Sequence, residues 1–154
     1  MAKRPNGKLC RSVGAIITNS RGYYLVLYRK KIPCGLGLPA GHIEVGESAI
    51  GALKREIYEE TGLIVKRTKR KLYAKIPGKC DRGAQKHIWH VFRVTSYSGK
   101  ACRREKDKHR FVKFLSTRQI LELIRKRQAT PTFIEIFQRL KIINSNGLHL
   151  EKKK

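Results

Sequence analysis

The segment from Gly41 to Leu63, GHIEVGESAIGALKREIYEETGL, constrains this chain more than any other stretch. It opens on a turn-rich run punctuated by Gly41 and Gly46. Apolar residues then recur at helical spacing, at Ile50, Leu53 and Ile57, and Gly62 supplies a stop signal. The spacing predicts a helix from about Ser48 to Thr61. On that helix Glu56, Glu59 and Glu60 stand at i, i+3 and i+4, so their carboxylates share one face. Like charges so placed repel, at a cost of about 0.2–0.5 kcal/mol per pair. A divalent cation reverses that penalty, and clustered carboxylate oxygens are the ligands that Mg2+ and Mn2+ prefer.

A short run of glutamates is usually a solvated face, but the rest of the chain argues against that here. Of its 11 acidic residues, Glu44, Glu47, Glu56, Glu59 and Glu60 all fall in this window. Of its 36 Lys and Arg, only Lys54 and Arg55 do. An acidic island in so basic a chain points to a cation site.

These residues also carry a resemblance. The Nudix hydrolase signature reads G-x5-E-x7-R-E-U-x-E-E-x-G-U, with U a bulky aliphatic residue. Gly41, Glu47, Arg55, Glu56, Ile57, Glu59, Glu60, Gly62 and Leu63 match it with every gap correct. The preceding LGLPAGHIEVGES resembles the run that leads into this box in many members. The match is tight over the box and holds only in outline elsewhere.

At 154 residues the chain is most simply one domain, residues 1–154, long enough to bury a core. No apolar run approaches membrane-spanning length, and Val13 to Ile17 is too short for a signal peptide, so a cytoplasmic protein is expected. Cys10, Cys34, Cys80 and Cys102 show neither C-x-x-C nor Cys/His metal spacing, so free thiols are expected and a zinc site is not. The net charge of +25 favours polyanionic partners, either a phosphate-rich substrate or RNA. A generally basic surface explains it as well, because the Lys and Arg are spread over 66–71, 103–110, 125–127 and 152–154 rather than gathered at one groove.

Apolar, β-branched Arg11 to Thr18 reads as a strand, Asn19 to Gly22 as a turn, and Tyr23 to Arg29 as a second strand completing a hairpin. Lys30 to Pro39 reads as a loop. Ile64 to Ile76 is strand-like and heavily basic, hence solvent-facing on one side. Pro77 to Gly83 is a loop. His87 to Thr95 alternates as a strand, with Ile88, His90, Phe92 and Val94 on one face and His87, Trp89, Val91 and Arg93 on the other. A charged loop from Ser96 to Arg110 precedes a strand from Phe111 to Leu115. Ser116 or Thr117 caps a helix through Arg127, with Ile120, Leu123 and Ile124 inward. Thr130-Pro131 opens a last helix, with Phe133, Ile136, Phe137 and Leu140 inward. That helix is expected to end at Asn146-Gly147, before a disordered Lys-rich tail at about 148–154. Together these elements give a mixed α/β class. The resemblance implies more: a Nudix-type α/β/α sandwich with a mixed sheet and a central catalytic helix.

Metal-bound carboxylates suit hydrolysis of a phosphoanhydride by water attack at phosphorus. The resemblance implies the same reaction, on a nucleoside diphosphate linked to another group, with Mg2+ or Mn2+. It assigns metal binding to Glu56, Glu59 and Glu60, a base role to Glu56, and a further ligand to the Ala40 carbonyl. It also implies a loop-orienting pair between Glu47 and Arg55, although Arg55 can instead pair with Glu59 at i+4. Glu105 and Asp107 are candidates for an extra carboxylate, or are partners for neighbouring Lys and Arg. Trp89 can stack on a base or pack in the core. Arg29, Lys30 and Lys31 can meet substrate phosphates. His87, His90 and His109 form no recognisable triad with a Ser or Cys. A different class stays open: an RNA- or ribosome-associated basic module on the same scaffold. An RNA 5′-end pyrophosphohydrolase would combine the two.

Overall fold

The computed structural model describes residues 9–80 and 82–144. Strand β1 (Leu9–Ile16) lies inside a mixed four-stranded sheet, antiparallel to β4 (Ala40–His42) on one edge and parallel to β6 (Lys86–Ser98) on the other. Strand β5 (Ile64–Pro77) pairs antiparallel with β6 and forms the outer edge, giving the order β4-β1-β6-β5. A second, antiparallel sheet runs β3-β2-β7, from β3 (Gly35–Gly37), β2 (Tyr24–Arg29) and β7 (His109–Leu115).

Alternate side chains of the strands feed two cores. On one side, Val13, Ala15, Leu25, Phe92 and Val94 pack with Ala52, Leu53 and Ile57 of helix α1 (Ala49–Thr61). On the other, Ile16, Val26, Trp89 and Val91 pack with helices α2 (Thr117–Arg125) and α3 (Pro131–Arg139) through Ile120, Leu121, Phe133, Ile136 and Phe137. The sheets are thus sandwiched between helices, the α/β/α architecture that the resemblance implied. Among the described residues no helix is long and apolar enough to cross a membrane.

The expected hairpin does not form. Leu25 N–H donates to the Ile17 carbonyl at 2.8 Å and Thr18 bridges Tyr24, but the two strands then enter different sheets. Both edges of β1 are already taken by β4 and β6, which leaves no ladder for β2. The segment 30–39, expected as a loop, contains β3, and its exit runs directly into β4. Helix α2 starts as expected, with Ser116 and Gln119 in a reciprocal capping box, but it buries Ile120 and Leu121 and only half-buries Leu123 and Ile124.

Helix α3 begins at the expected Pro131, behind a Thr130 cap, and ends well before the expected point. Lys141 turns left-handed at φ 60°, and Ile142 N–H bonds back to the Phe137 carbonyl at 2.9 Å. This return buries Ile143 at 1% exposure, and burying such a side chain stabilises by about 1.5–3 kcal/mol, enough to offset one left-handed residue. Asn146, Gly147 and the tail at 148–154 lie outside the described residues.

Candidate metal centre

Helix α1 forms despite its three repelling glutamates because packing outweighs them. Fully buried Leu53 and Ile57 each contribute about 1.5–3 kcal/mol, against tenths for each like-charge pair. Both ends are fixed locally: the Ser48 hydroxyl accepts from Gly51 N–H at 3.0 Å, and Gly62, at φ 81°, donates to the Tyr58 carbonyl at 2.9 Å. The helix therefore presents its carboxylates at a defined height beside β4.

The three carboxylates do not share one environment. Glu59 is exposed, Glu56 is half-buried, and Glu60 is buried, its carboxylate accepting the Ala40 N–H at 2.9 Å. Burial raises the Glu60 pKa well above the usual carboxylate range; the neighbouring Glu56 charge adds to this and the Ala40 amide opposes it. Burial likewise raises Glu56, against the pull of the Arg55 guanidinium. Glu56 lies tight against β4, where a Cβ added at Gly41 would fall on its carboxylate. Only glycine leaves that cradle open.

Arg55 ties the loop to the helix. Its Nε and Nη2 donate to the two Glu47 oxygens at 2.6 and 2.8 Å, Nη2 also reaches the His42 carbonyl at 3.1 Å, and Nη1 contacts Glu56 at 2.9 Å and Glu59 at 3.4 Å. The fork holds the Glu47 carboxyl down at about 2, helped by the Glu44 N–H. Both pairings considered for Arg55 occur together. Glu47 precedes the Ser48 cap, so it reaches Arg55 from the loop across eight residues.

The second face of the centre comes from the β6–β7 connection and the first residue of β7. Lys108 and His109 N–H groups donate to the Glu105 carbonyl at 3.0 and 3.1 Å, forming a turn. That turn brings Glu105, buried His109 and Glu60 together, with ligand atoms within 4.8 Å of one another. Burial and the nearby Arg29 and Lys108 hold His109 down at about 4, so it is neutral at pH 7. Asp107 is exposed and is not one of that trio. The turn pairing that aims Glu105 leaves no mark in a basic loop read one residue at a time.

A cavity of about 580 Å3 opens over these groups, lined by Ala40, Glu56, Glu59, Glu60 and His109. Arg29 and Lys31 stand on its wall, whereas Lys30 donates to the Lys106 carbonyl at 2.8 Å. Trp89 meets the cavity and also packs in the α2/α3 core. His87 bonds Ser12 at 2.8 Å, and His90 lies beside Tyr73. The oxygen-rich floor with a basic wall suits a divalent cation and a phosphate chain.

The spacing of the cysteines pointed away from any Cys/His metal cluster. None of the four is in a disulfide, but the fold brings Cys10 and Cys80 together with His42, ligand atoms within 4.8 Å. Sheet pairing and a turn create that proximity across 70 residues.

Residues 8–137 match the family model for the NUDIX domain. Among solved structures, the chain is 25% identical to a MutT NUDIX hydrolase from Burkholderia pseudomallei, covering 72% of this chain and 85% of that one with a TM-score of 0.64. It also resembles in fold the MutT protein from Methanosarcina mazei (22% identity, 100% and 99% coverage, TM-score 0.67). A third likeness in fold is the NUDIX domain of Shewanella oneidensis NrtR complexed with ADP ribose (14% identity, 90% and 92% coverage, TM-score 0.70).

Proposed function

The chain belongs to the NUDIX domain family, whose hydrolases cleave nucleoside diphosphate-linked compounds, and from that premise we propose a Mg2+- or Mn2+-dependent attack of water on phosphorus in such a diphosphate. Glu56, Glu59 and Glu60, with the Ala40 carbonyl, are the proposed ligands. The observation that carries the reading is the pair of crowded carboxylates: half-buried Glu56 in the cradle left by Gly41, and buried Glu60 behind it. Burial makes the charged form of both costly, a cost that a bound cation would offset, and all-oxygen donors suit these two hard ions. Once bound, such an ion neutralises charge on diphosphate oxygens and acidifies water.

The chain's own groups supply the rest. Half-buried Glu56, its pKa raised by burial, is proposed to accept the proton of the attacking water. Arg55 holds Glu47, Glu56 and the His42 carbonyl in one frame, so the loop and the helix keep their relative position. Arg29 and Lys31 offer positive charge to the phosphates. ADP ribose in the NrtR domain supports a substrate in which a diphosphate joins a nucleoside to a second group. A protein of the cytoplasm fits such a substrate.

One observation favours RNA 5′ ends as the natural form of that substrate. The outer-edge strand β5 exposes Lys66, Arg67, Lys69, Arg70 and Lys71, with Arg70 5.6 Å from the ring centre of exposed Tyr73. A basic strand with an aromatic suits a nucleic acid backbone and a stacked base.

The test is a panel of nucleoside triphosphates, ADP-ribose-type sugars, dinucleoside polyphosphates and 5′-triphosphorylated RNA, incubated with Mg2+ or with chelator. Mg2+-dependent release of phosphate, pyrophosphate or a nucleoside monophosphate is expected. Salt-sensitive RNA binding with no turnover of any substrate would replace the enzyme with a binding module.

A further inference from the structure

We propose that Cys10, His42 and Cys80 form a second metal site, chemically distinct from the carboxylate centre, that takes a thiolate-seeking divalent ion of the Zn2+ type. The three come from separate elements. Cys10 is on β1, His42 on the neighbouring β4, and Cys80 in the β5–β6 connection. The register pairs Ser12 with His42, and Cys10, two residues before Ser12, points to the same face of β1. Cys80 is held over that face by a closed turn, its N–H donating to the Ala84 carbonyl at 3.3 Å and its carbonyl accepting from Gly83 N–H at 3.1 Å.

The distances fit a shared ion. The two Sγ atoms are 4.0 Å apart, and each of the three ligand atoms is within 4.8 Å of the others. A tetrahedral site with Zn–S of about 2.3 Å places two sulfurs about 3.8 Å apart, so the pair needs to move only by tenths of an ångström. A disulfide would need the sulfurs to close to about 2.05 Å, a far larger shift. Two sulfurs and an imidazole select a borderline-soft ion and disfavour Mg2+, which demands oxygen. Loading releases the two thiol protons, so two thiolates balance the dication and the trio stays neutral. His42 and Cys80 both line the cavity, which leaves the fourth position to water or to a ligand entering from that side.

Such an ion would staple the β5–β6 connection onto the sheet beside the cavity, adding to the Arg82–Glu44 ion pair at 2.6 Å. His42 also gives its carbonyl to Arg55 at 3.1 Å, so the staple ends one residue's length from the Glu47–Arg55 frame.

Co2+ is the probe, added to the reduced full chain carrying Cys34→Ser and Cys102→Ser, since both of those thiols are exposed and outside the cluster. One equivalent is expected to give thiolate-to-cobalt charge transfer and the visible bands of tetrahedral cobalt. Zn2+ should bleach them and excess Mg2+ should not. Cys80→Ser and His42→Gln should each weaken Co2+ binding at least tenfold, with folding checked by circular dichroism. Zn2+ should also raise the melting temperature of the parent and not of Cys80→Ser. Absence of charge transfer in the folded parent overturns the site, as does absorption unchanged in both variants. Loss of Mg2+-dependent turnover elsewhere leaves this readout untouched, so the two readings fail separately.

Discussion

Arg55 grips Glu47 at two points, Nε to Oε2 at 2.6 Å and Nη2 to Oε1 at 2.8 Å, and so fixes the loop before α1 to the second turn of that helix. The same guanidinium touches Glu56, so the geometry of the proposed base depends on a residue with no chemical part in the reaction. Arg55→Lys keeps the charge and removes the fork. It should lower kcat on the order of 10²-fold while the fold survives. In a double-mutant cycle with Glu47→Gln, steady-state kinetics should show coupling of about 1–3 kcal/mol. Additive effects would mean that the grip does not position the site.

Gly41→Ala tests the cradle. The added methyl would occupy the space of the Glu56 carboxylate, and the backbone of β4 cannot give way without leaving its register with Val13. Turnover should fall on the order of 10²-fold, with circular dichroism near that of the parent. Full activity would show that the Glu56 carboxylate is not needed where it lies.

Glu60→Gln should separate stability from binding. The folded pKa of Glu60 lies above its ordinary value of 4.5, so between the two the native state keeps a proton that the unfolded chain has lost. Stability therefore falls as pH rises through that window and stays lower above it. Gln keeps the acceptor for the Ala40 N–H and carries no charge. Without divalent cations at pH 7 to 8, the variant should melt higher, by roughly 2–4 °C for each kcal/mol gained. The gain should fade below pH 4.5, and the stabilisation by Mg2+ seen in the parent should be lost. A variant less stable at every pH would contradict the burial account.

The parts legible in the sequence are those whose physics is local. Ser48, Gly62, Ser116 and Pro131 mark helix ends because caps act within one turn. The Glu56, Glu59, Glu60 spacing follows from helix geometry alone. What was not legible depends on partners far along the chain. Strands β1 and β2 look like a hairpin until β4 and β6 claim the edges of β1, and three-residue β3 and β4 carry too little pattern to stand out. The end of α3 is set by where Ile143 finds the core. His109 joins Glu60 because the 105–109 turn closes, and Cys10 meets Cys80 through sheet register together with the turn that holds Cys80. The burial of Glu60 beside exposed Glu59 is likewise a matter of which side β4 covers.

The most direct test of the central claim is a Mg2+ titration of hydrolysis, on the best substrate of the panel, for the parent and for Glu56→Gln, Glu59→Gln and Glu60→Gln. The parent should show saturable Mg2+ dependence. Each variant should need far more metal or lose turnover on the order of 10²-fold or more, while remaining folded. Turnover in the three variants equal to the parent's at the same Mg2+ would contradict the assignment of these carboxylates to the reaction.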